Sequence, residues 1–177
     1  MPDKSETRLV EAAVGGDIES FGKLCQRYYG PMVAIGYSVL ADHQLAEDAA
    51  QESFARALVS LRKLKNQTRF APWLAAICRN VAKDMVATKV RQISTKDFSQ
   101  AARNNTNENA PVIRRAIEQL PVSAKELIVL RYYNNLSYEE ISSVLGISKP
   151  TINGRLTRAK RKMAKYLRRN GFLENQL

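Results

Sequence analysis

The stretch "LSYEEISSVLGISKPTINGRLTRAKRKM", Leu136 to Met163, holds two helix starts, a glycine between them, and a long run of positive charge. Ser137 with Glu140 is the spacing of a capping box, in which hydroxyl and carboxylate each satisfy a backbone N–H of the first turn. The helix it opens turns Ile141, Val144 and Leu145 to one side. Gly146 supplies a left-handed turn residue, Ile147 plugs the angle, and Ser148 caps a second helix. Pro150 falls in that helix's first turn, where no backbone N–H is needed. Ile152, Leu156, Ala159 and Met163 face inward, which leaves Ser148, Lys149, Thr151, Asn153, Arg155, Arg158 and Lys160 at its start and outer side. From Lys149 to Arg169 there are nine basic residues and no acidic one. A helix that reads duplex DNA needs this division: residues near its N-terminus reach base edges while flanking Lys and Arg hold phosphates. A purely structural helical hairpin needs the caps and the turn but not the charge. Gly154, which costs about 1 kcal/mol relative to alanine inside a helix, is either a tolerated flaw or room for close approach to DNA.

The charge balance of the whole chain agrees. The net charge of +11 is uneven: residues 1–90 carry 12 basic and 10 acidic side chains, residues 112–177 carry 13 and 5. The excess sits where a polyanion would meet the basic helix. With 177 residues and 45% hydrophobic side chains, the chain can fill one medium core or two small ones. No apolar run is long enough to span a membrane, and "MPDKSETRLVEAAVGGD" has no apolar signal core, so a cytoplasmic protein is expected. Cys25, Cys78 and the single His43 form no metal-ligand pattern, and both cysteines fall on apolar helical faces as inert thiols. No metal or cofactor is expected.

Working outward, almost every segment has helical period and none alternates as a strand would. Ser5 is placed to cap a first helix that stops at Gly15-Gly16, and Asp17 to cap a second reaching about Tyr28. Gly30-Pro31 predicts a break, with Pro31 opening a third helix to about Ala41. Further helices are expected from about Gln44 to Leu61 and from about Ala71 to Lys89. "RQISTKDFSQAARNNTNENAP", Arg91 to Pro111, is rich in Asn, Ser, Thr and Gln and predicts a flexible linker, with one weak helical turn around 97–103. Helical pattern resumes after Pro111. Ser123 with Glu126 has capping-box spacing before "AKELIVLRYYN".

The segment "DHQLAEDAAQESFARALVSLRKLKNQTRFAPWLAAICRNVAKDMVATKVRQ", Asp42 to Gln92, takes the reading past a generic regulator. It resembles region 2 of the bacterial extracytoplasmic-function (group 4) sigma factors of the sigma-70 family, through "DAAQESF" and "PWLAAICRN". "VGGDIESFGKLCQRYYGPM" is similar to that family's first helices, and "LPVSAKELIVLRYYNNLSYEEISSVLGISKPTINGRLTRAKRKM" to its region 4. The resemblance runs in the right order over nearly the whole chain.

On the fourth expected helix Ala50, Phe54, Leu58 and Leu61 form the apolar face, while Asp48, Glu52, Arg56 and Lys63 lie opposite. From the residues alone this is a solvated stripe with a Glu52–Arg56 pair. The resemblance implies that Asp48, Gln51, Glu52 and Arg56 dock on the clamp helices of core RNA polymerase. On the fifth, Leu74, Ile77, Cys78, Val81 and Met85 face the core, and Trp73, Ala76, Asn80 and Lys83 share the other side. Aromatic, small, amide and amine side chains together can approach a nucleotide. The resemblance implies that this helix, with Lys63, Lys65, Asn66 and Arg69 before it and Arg79 beside Asn80, captures an unstacked base of the minus-10 element. Trp73 either stacks that base or clamps the loop.

The expectation is an all-α protein of two small helical domains. Residues 1–90 form a region 2 domain for polymerase binding and minus-10 recognition and melting, 91–111 a linker, and 112–177 a region 4 helix-turn-helix for the minus-35 element. The resemblance implies a sigma factor that directs core RNA polymerase to promoter DNA, works by binding without catalysis, and is itself bound by an anti-sigma factor. The competing reading is an autonomous helix-turn-helix regulator. A nucleic-acid enzyme is the third, and the sequence offers it no paired carboxylates, His cluster or phosphate-cradling glycine loop.

Overall fold

A computed structural model describes residues 4–93 and 110–172. Its elements are α1 (Lys4–Val14), α2 (Ile18–Leu40), α3 (His43–Ser60), α4 (Phe70–Ile93), α5 (Ala110–Glu118), α6 (Val122–Ile128), α7 (Tyr138–Leu145) and α8 (Lys149–Arg169). Two short 3₁₀ turns, Leu61–Lys63 and Gln67–Arg69, join α3 to α4, and α6 runs on through a π turn at Val129–Tyr133. The described residues contain no strand. The weak helical turn expected around 97–103 lies outside the described residues.

Helices α1 to α4 make the first unit. Asp17 caps α2 through a 3.0 Å bond from the Glu19 N–H, and Asp42 caps α3 through the Leu45 N–H at 3.1 Å. Ser5 falls in the first turn of α1. Leu24, Met32, Ile35, Phe70 and Leu74 are fully buried between the four helices. At Gly36 a Cβ would come within 3.2 Å of the Ala46 Cα, so glycine lets the backbones of α2 and α3 approach closely. The Glu6 carboxylate is buried under α2, where it accepts a 2.6 Å bond from the Tyr28 hydroxyl, with Arg27 3.6 Å away. Burial and this carboxylate together push the Tyr28 phenol well above its ordinary pKa.

The expected break at Gly30-Pro31 does not occur: α2 is one 23-residue helix with Pro31 inside it. An interior proline costs about 3 kcal/mol. Burying a Met, Leu or Ile side chain contributes roughly 1.5–3 kcal/mol each, so Leu24, Met32 and Ile35 along one face outweigh it. The third and second expected helices are therefore one element. Leu58, expected in the core, is 43% exposed, and Ala57 takes the buried position.

Helices α5 to α8 make the second unit, around Leu127, Leu130, Ile141, Ile152 and Leu156. The Ser123–Glu126 capping box is absent. Helix α6 starts at Val122 behind Pro121 with no side-chain cap, so Ser123 lies within its first turn and Glu126 is turned inward.

The two units pack on each other, and their cores share members. Val144 of α7 is buried in the first unit's cluster, and Ala34 of α2 in the second unit's. Across the same boundary Arg79 Nε of α4 donates to Glu126 Oε1 of α6 at 2.8 Å.

Candidate nucleic-acid interface

The C-terminal reader is built from local chemistry. The Ser137 backbone N–H donates to Glu140 at 2.7 Å and the Glu140 N–H donates back to the Ser137 hydroxyl at 3.2 Å, completing the capping box. Gly146 takes φ 66° and donates its N–H to Ser142 O at 2.9 Å, closing α7. Ser148 caps α8, sharing a 2.8 Å hydrogen bond with the Thr151 hydroxyl. Ile152, Leu156 and Ala159 are buried, Met163 is half-buried, and Asn153, Arg158 and Lys160 are exposed, with Arg155 half-buried.

The seven expected contact residues thus differ in freedom. Ser148 and Thr151 are engaged in the cap. Lys149 pairs with Glu139 of α7, which lowers the Glu139 carboxyl below its ordinary pKa. Lys160 sits 5.3 Å from the Tyr132 ring centre, and hydrogen bonding to the Tyr132 phenol raises its pKa. Arg158 donates to the Gly154 carbonyl at 3.2 Å along its own helix. Around Gly154 no atom lies within 4 Å of where a Cβ would sit, so packing inside the protein does not require this glycine.

The second basic surface lies before and on α4. Lys63 and Arg69 are exposed on the two 3₁₀ turns, and Lys65 and Asn66 are exposed between them. The Asn66 side-chain oxygen accepts from the Thr68 N–H at 3.1 Å and its hydroxyl at 2.6 Å, so Asn66 shapes the loop. Trp73 is half-buried, with its ring centre 5.9 Å from that of Phe70. With Leu64, Asn66, Arg69 and Pro72 it also lines a hollow of about 330 Å³. Asn80 and Lys83 are exposed along the same side of α4. Arg79 is held against Glu126, whose carboxyl is raised in pKa by burial and pulled back, less strongly, by Arg79 and then Arg155.

The third surface is on α3. Asp48, Gln51, Glu52 and Arg56 are all exposed. Arg56 bonds Glu52 at 2.7 Å and reaches Asp84 of α4 at 3.4 Å, which ties the two helices. Sequence reasoning missed an apolar extension: Val59 is 87% exposed, and helical spacing puts it in line with Asp48, Glu52 and Ala55. The missed signal was the pair Leu58-Val59, of which only one can face the core. Beside this stripe Cys25, Gln26, Tyr29, Gln51 and Phe54 line a groove of about 400 Å³. Burial raises the pKa of both thiols, Cys25 and Cys78.

Two family models match the chain. One described as Sigma-70 region 2 matches residues 24–92, and one described as Sigma-70, region 4, matches residues 112–163; together they cover more than half of the chain. The chain belongs to the sigma-70 family. This sigma factor is 26% identical to the RNA polymerase sigma-H factor of Pseudomonas aeruginosa over 94% of its own length and 96% of the relative's. It is 29% identical to the ECF RNA polymerase sigma factor SigW of Bacillus subtilis, over 86% and 91%. In fold it is similar to CnrH, solved in complex with the cytosolic domain of CnrY, with a TM-score of 0.61, 22% identity, and 93% and 97% of the two chains covered. It is equally similar, at 0.61 and 20% identity, to RpoE solved with the anti-sigma factor NepR from Bartonella quintana, over 85% and 98%. The extracytoplasmic-function group is the one to which these relatives point. Sigma factors are initiation factors, and promoter-specific transcription initiation is the function of this one. An autonomous regulator is not favoured, because the region 2 match takes in α3 and α4. Among the described residues no helix is long and apolar enough to cross a membrane, and no group of three or more His, Cys, Asp or Glu could hold a metal ion.

Proposed function

We propose that the three surfaces divide the work of initiation. The α3 stripe of Asp48, Gln51, Glu52 and Arg56, extended by Val59, docks on core RNA polymerase. A mixed-charge face with an exposed apolar residue at one end suits a protein partner on an otherwise basic chain. Helix α8 enters the major groove of the minus-35 element, with Asn153, Arg155 and Arg158 toward base edges and Lys149 and Lys160 toward phosphates. The hollow beside Trp73, with Lys63, Lys65, Asn66, Arg69, Asn80 and Lys83 around it, receives an unstacked base of the opened minus-10 strand. Removing a base from the stack costs a few kcal/mol, which stacking and edge contacts must offset. Residues 1–90, 91–111 and 112–177 serve as minus-10 domain, linker and minus-35 domain.

The factor acts in the cytoplasm by binding alone, without a catalytic step of its own. An anti-sigma protein is a further expected partner, since RpoE, which is similar in fold, is solved in complex with the anti-sigma factor NepR. The observation that carries the proposal is one chain order: an exposed mixed-charge helix, a basic loop with an aromatic hollow, then a capped basic helix-turn-helix. Fluorescence anisotropy on promoter duplex tests it. Tight, sequence-specific binding should require core polymerase; equally tight binding by the chain alone would return it to the autonomous regulators.

A further inference from the structure

The two lysines of α8 assigned to minus-35 phosphates are held in different ways. Lys149, in the first turn, pairs with the Glu139 carboxylate. That ion pair offsets its charge in the free chain, and DNA must displace the acid before the ammonium can serve a phosphate. Lys160, about three turns further along α8, is placed differently. Among the described residues the ionisable groups that act on it are Tyr132, Tyr138 and Arg131, none of them a carboxylate. Its ammonium stands 5.3 Å from the centre of the Tyr132 ring and donates to the phenol oxygen.

An irregular stretch of backbone brings Tyr132 there. In an α-helix residue i+3 lies on the face of residue i, so a regular α6 would carry Tyr132 inward after the buried Val129. Instead Val129–Tyr133 forms a π turn, closed by the Asn134 N–H on the Val129 carbonyl at 3.1 Å. The wider turn swings Tyr132 outward beside α8, where it is 48% exposed. Its neighbour Arg131 is engaged elsewhere: it donates to the Leu136 carbonyl at 2.7 Å and lies 5.4 Å from the Tyr138 ring centre. Tyr132 is therefore the group that sets where Lys160 points.

We propose that Tyr132 is a positioning residue for minus-35 binding: its ring and hydroxyl hold the Lys160 ammonium toward the DNA backbone without cancelling its charge. The proposal rests on the reading of α8 as the minus-35 helix. Lys160 follows Asn153 by seven residues, two turns along the same face and about 10.5 Å along the axis. A helix whose N-terminal end meets base edges therefore brings Lys160 to the phosphates beside the groove. A free lysine gives up rotamer freedom when it settles on a phosphate, and one already held gives up less. A tyrosine hydroxyl is a neutral acceptor, so the positive charge survives being held. A carboxylate in its place would hold the ammonium but repel the phosphate.

A double-mutant cycle tests this on the full chain bound to core polymerase. Dissociation constants are measured for a duplex carrying the minus-35 element and for the same duplex with that element scrambled. The proteins are the parent, Tyr132→Ala, Tyr132→Phe, Lys160→Ala and the Tyr132→Ala, Lys160→Ala pair. Lys160→Ala should weaken both duplexes alike and make the salt dependence shallower by about 0.9, the slope of one phosphate contact. Tyr132→Ala should raise both constants by roughly 2- to 5-fold, the worth of an exposed contact between a cation and a ring. Tyr132→Phe keeps the ring and loses the hydroxyl, so it should fall between the parent and Tyr132→Ala. In the pair the tyrosine should matter no further, because it acts through the lysine. Melting temperatures should match the parent's, since Tyr132 is half exposed. Additive losses, a loss confined to the matched duplex, or parent-like binding by Tyr132→Ala would each overturn the positioning role and leave α8 as the reading helix. No effect of Lys160→Ala on either duplex would instead overturn the phosphate contact, and this inference with it.

Discussion

Val59 offers a sharp test of the polymerase-docking face, because nothing inside the protein needs it. Its side chain is 87% exposed on α3, in line with Asp48, Glu52 and Ala55. Val59→Ala removes two methyl groups, and alanine is the better helix former, so the free protein should keep its melting temperature. If the clamp of core polymerase covers the side chain, the variant loses about 1.6 kcal/mol of apolar burial, at about 0.8 kcal/mol per carbon. That converts to a dissociation constant raised about 15-fold, since each 1.4 kcal/mol is tenfold. Val59→Asp should weaken binding further, by placing a charge where the partner is apolar. Isothermal titration of labelled variants against core enzyme measures both. An unchanged constant for Val59→Asp would refute the assignment of this stripe, whatever Asp48 and Glu52 do.

Three further outcomes are expected. Arg155→Ala and Arg158→Ala should each weaken binding to an intact minus-35 duplex; a base contact costs roughly 1–3 kcal/mol of discrimination, whereas a phosphate contact weakens all sequences alike, and competition with scrambled DNA separates the two. Asn80→Ala should spare polymerase and duplex binding but reduce permanganate reactivity of unpaired thymines, with a smaller deficit on a pre-melted minus-10 bubble; parent-like reactivity on ordinary duplex would remove Asn80 from base capture. Tyr28→Phe should lower stability by about 1–3 kcal/mol, because the buried Glu6 carboxylate loses its 2.6 Å donor and keeps only Arg27 at 3.6 Å. Calorimetry reads that as a melting temperature lower by several degrees, and no change would mean that water replaces the phenol.

What could be read from the sequence was mostly local. The Ser137 box, the Gly146 turn and the Ser148 cap each satisfy backbone groups within a few residues, so spacing alone located α7 and α8. The buried faces of α3 and α4 followed from helical period, apart from Leu58. What failed depended on distant partners. Pro31 marks a break only when nothing holds the helix on both sides of it, and the core packed on α2 lies many residues away. Glu126 has capping-box spacing from Ser123, but its partner is Arg79, 47 residues earlier in the chain. The same contact ties up a side chain that the sequence alone would leave free for DNA. Trp73 was open between two roles, and its position supports both: it packs on Phe70 and forms one wall of the hollow.

The central claim is that this chain gives RNA polymerase a promoter it would not otherwise use. Run-off transcription with purified core enzyme over a library of promoter fragments measures this in one step. With the chain added, transcripts should start at defined positions downstream of a shared pair of elements, and without it they should be absent. Transcription that is the same with and without the chain, at every fragment in the library, would contradict the account.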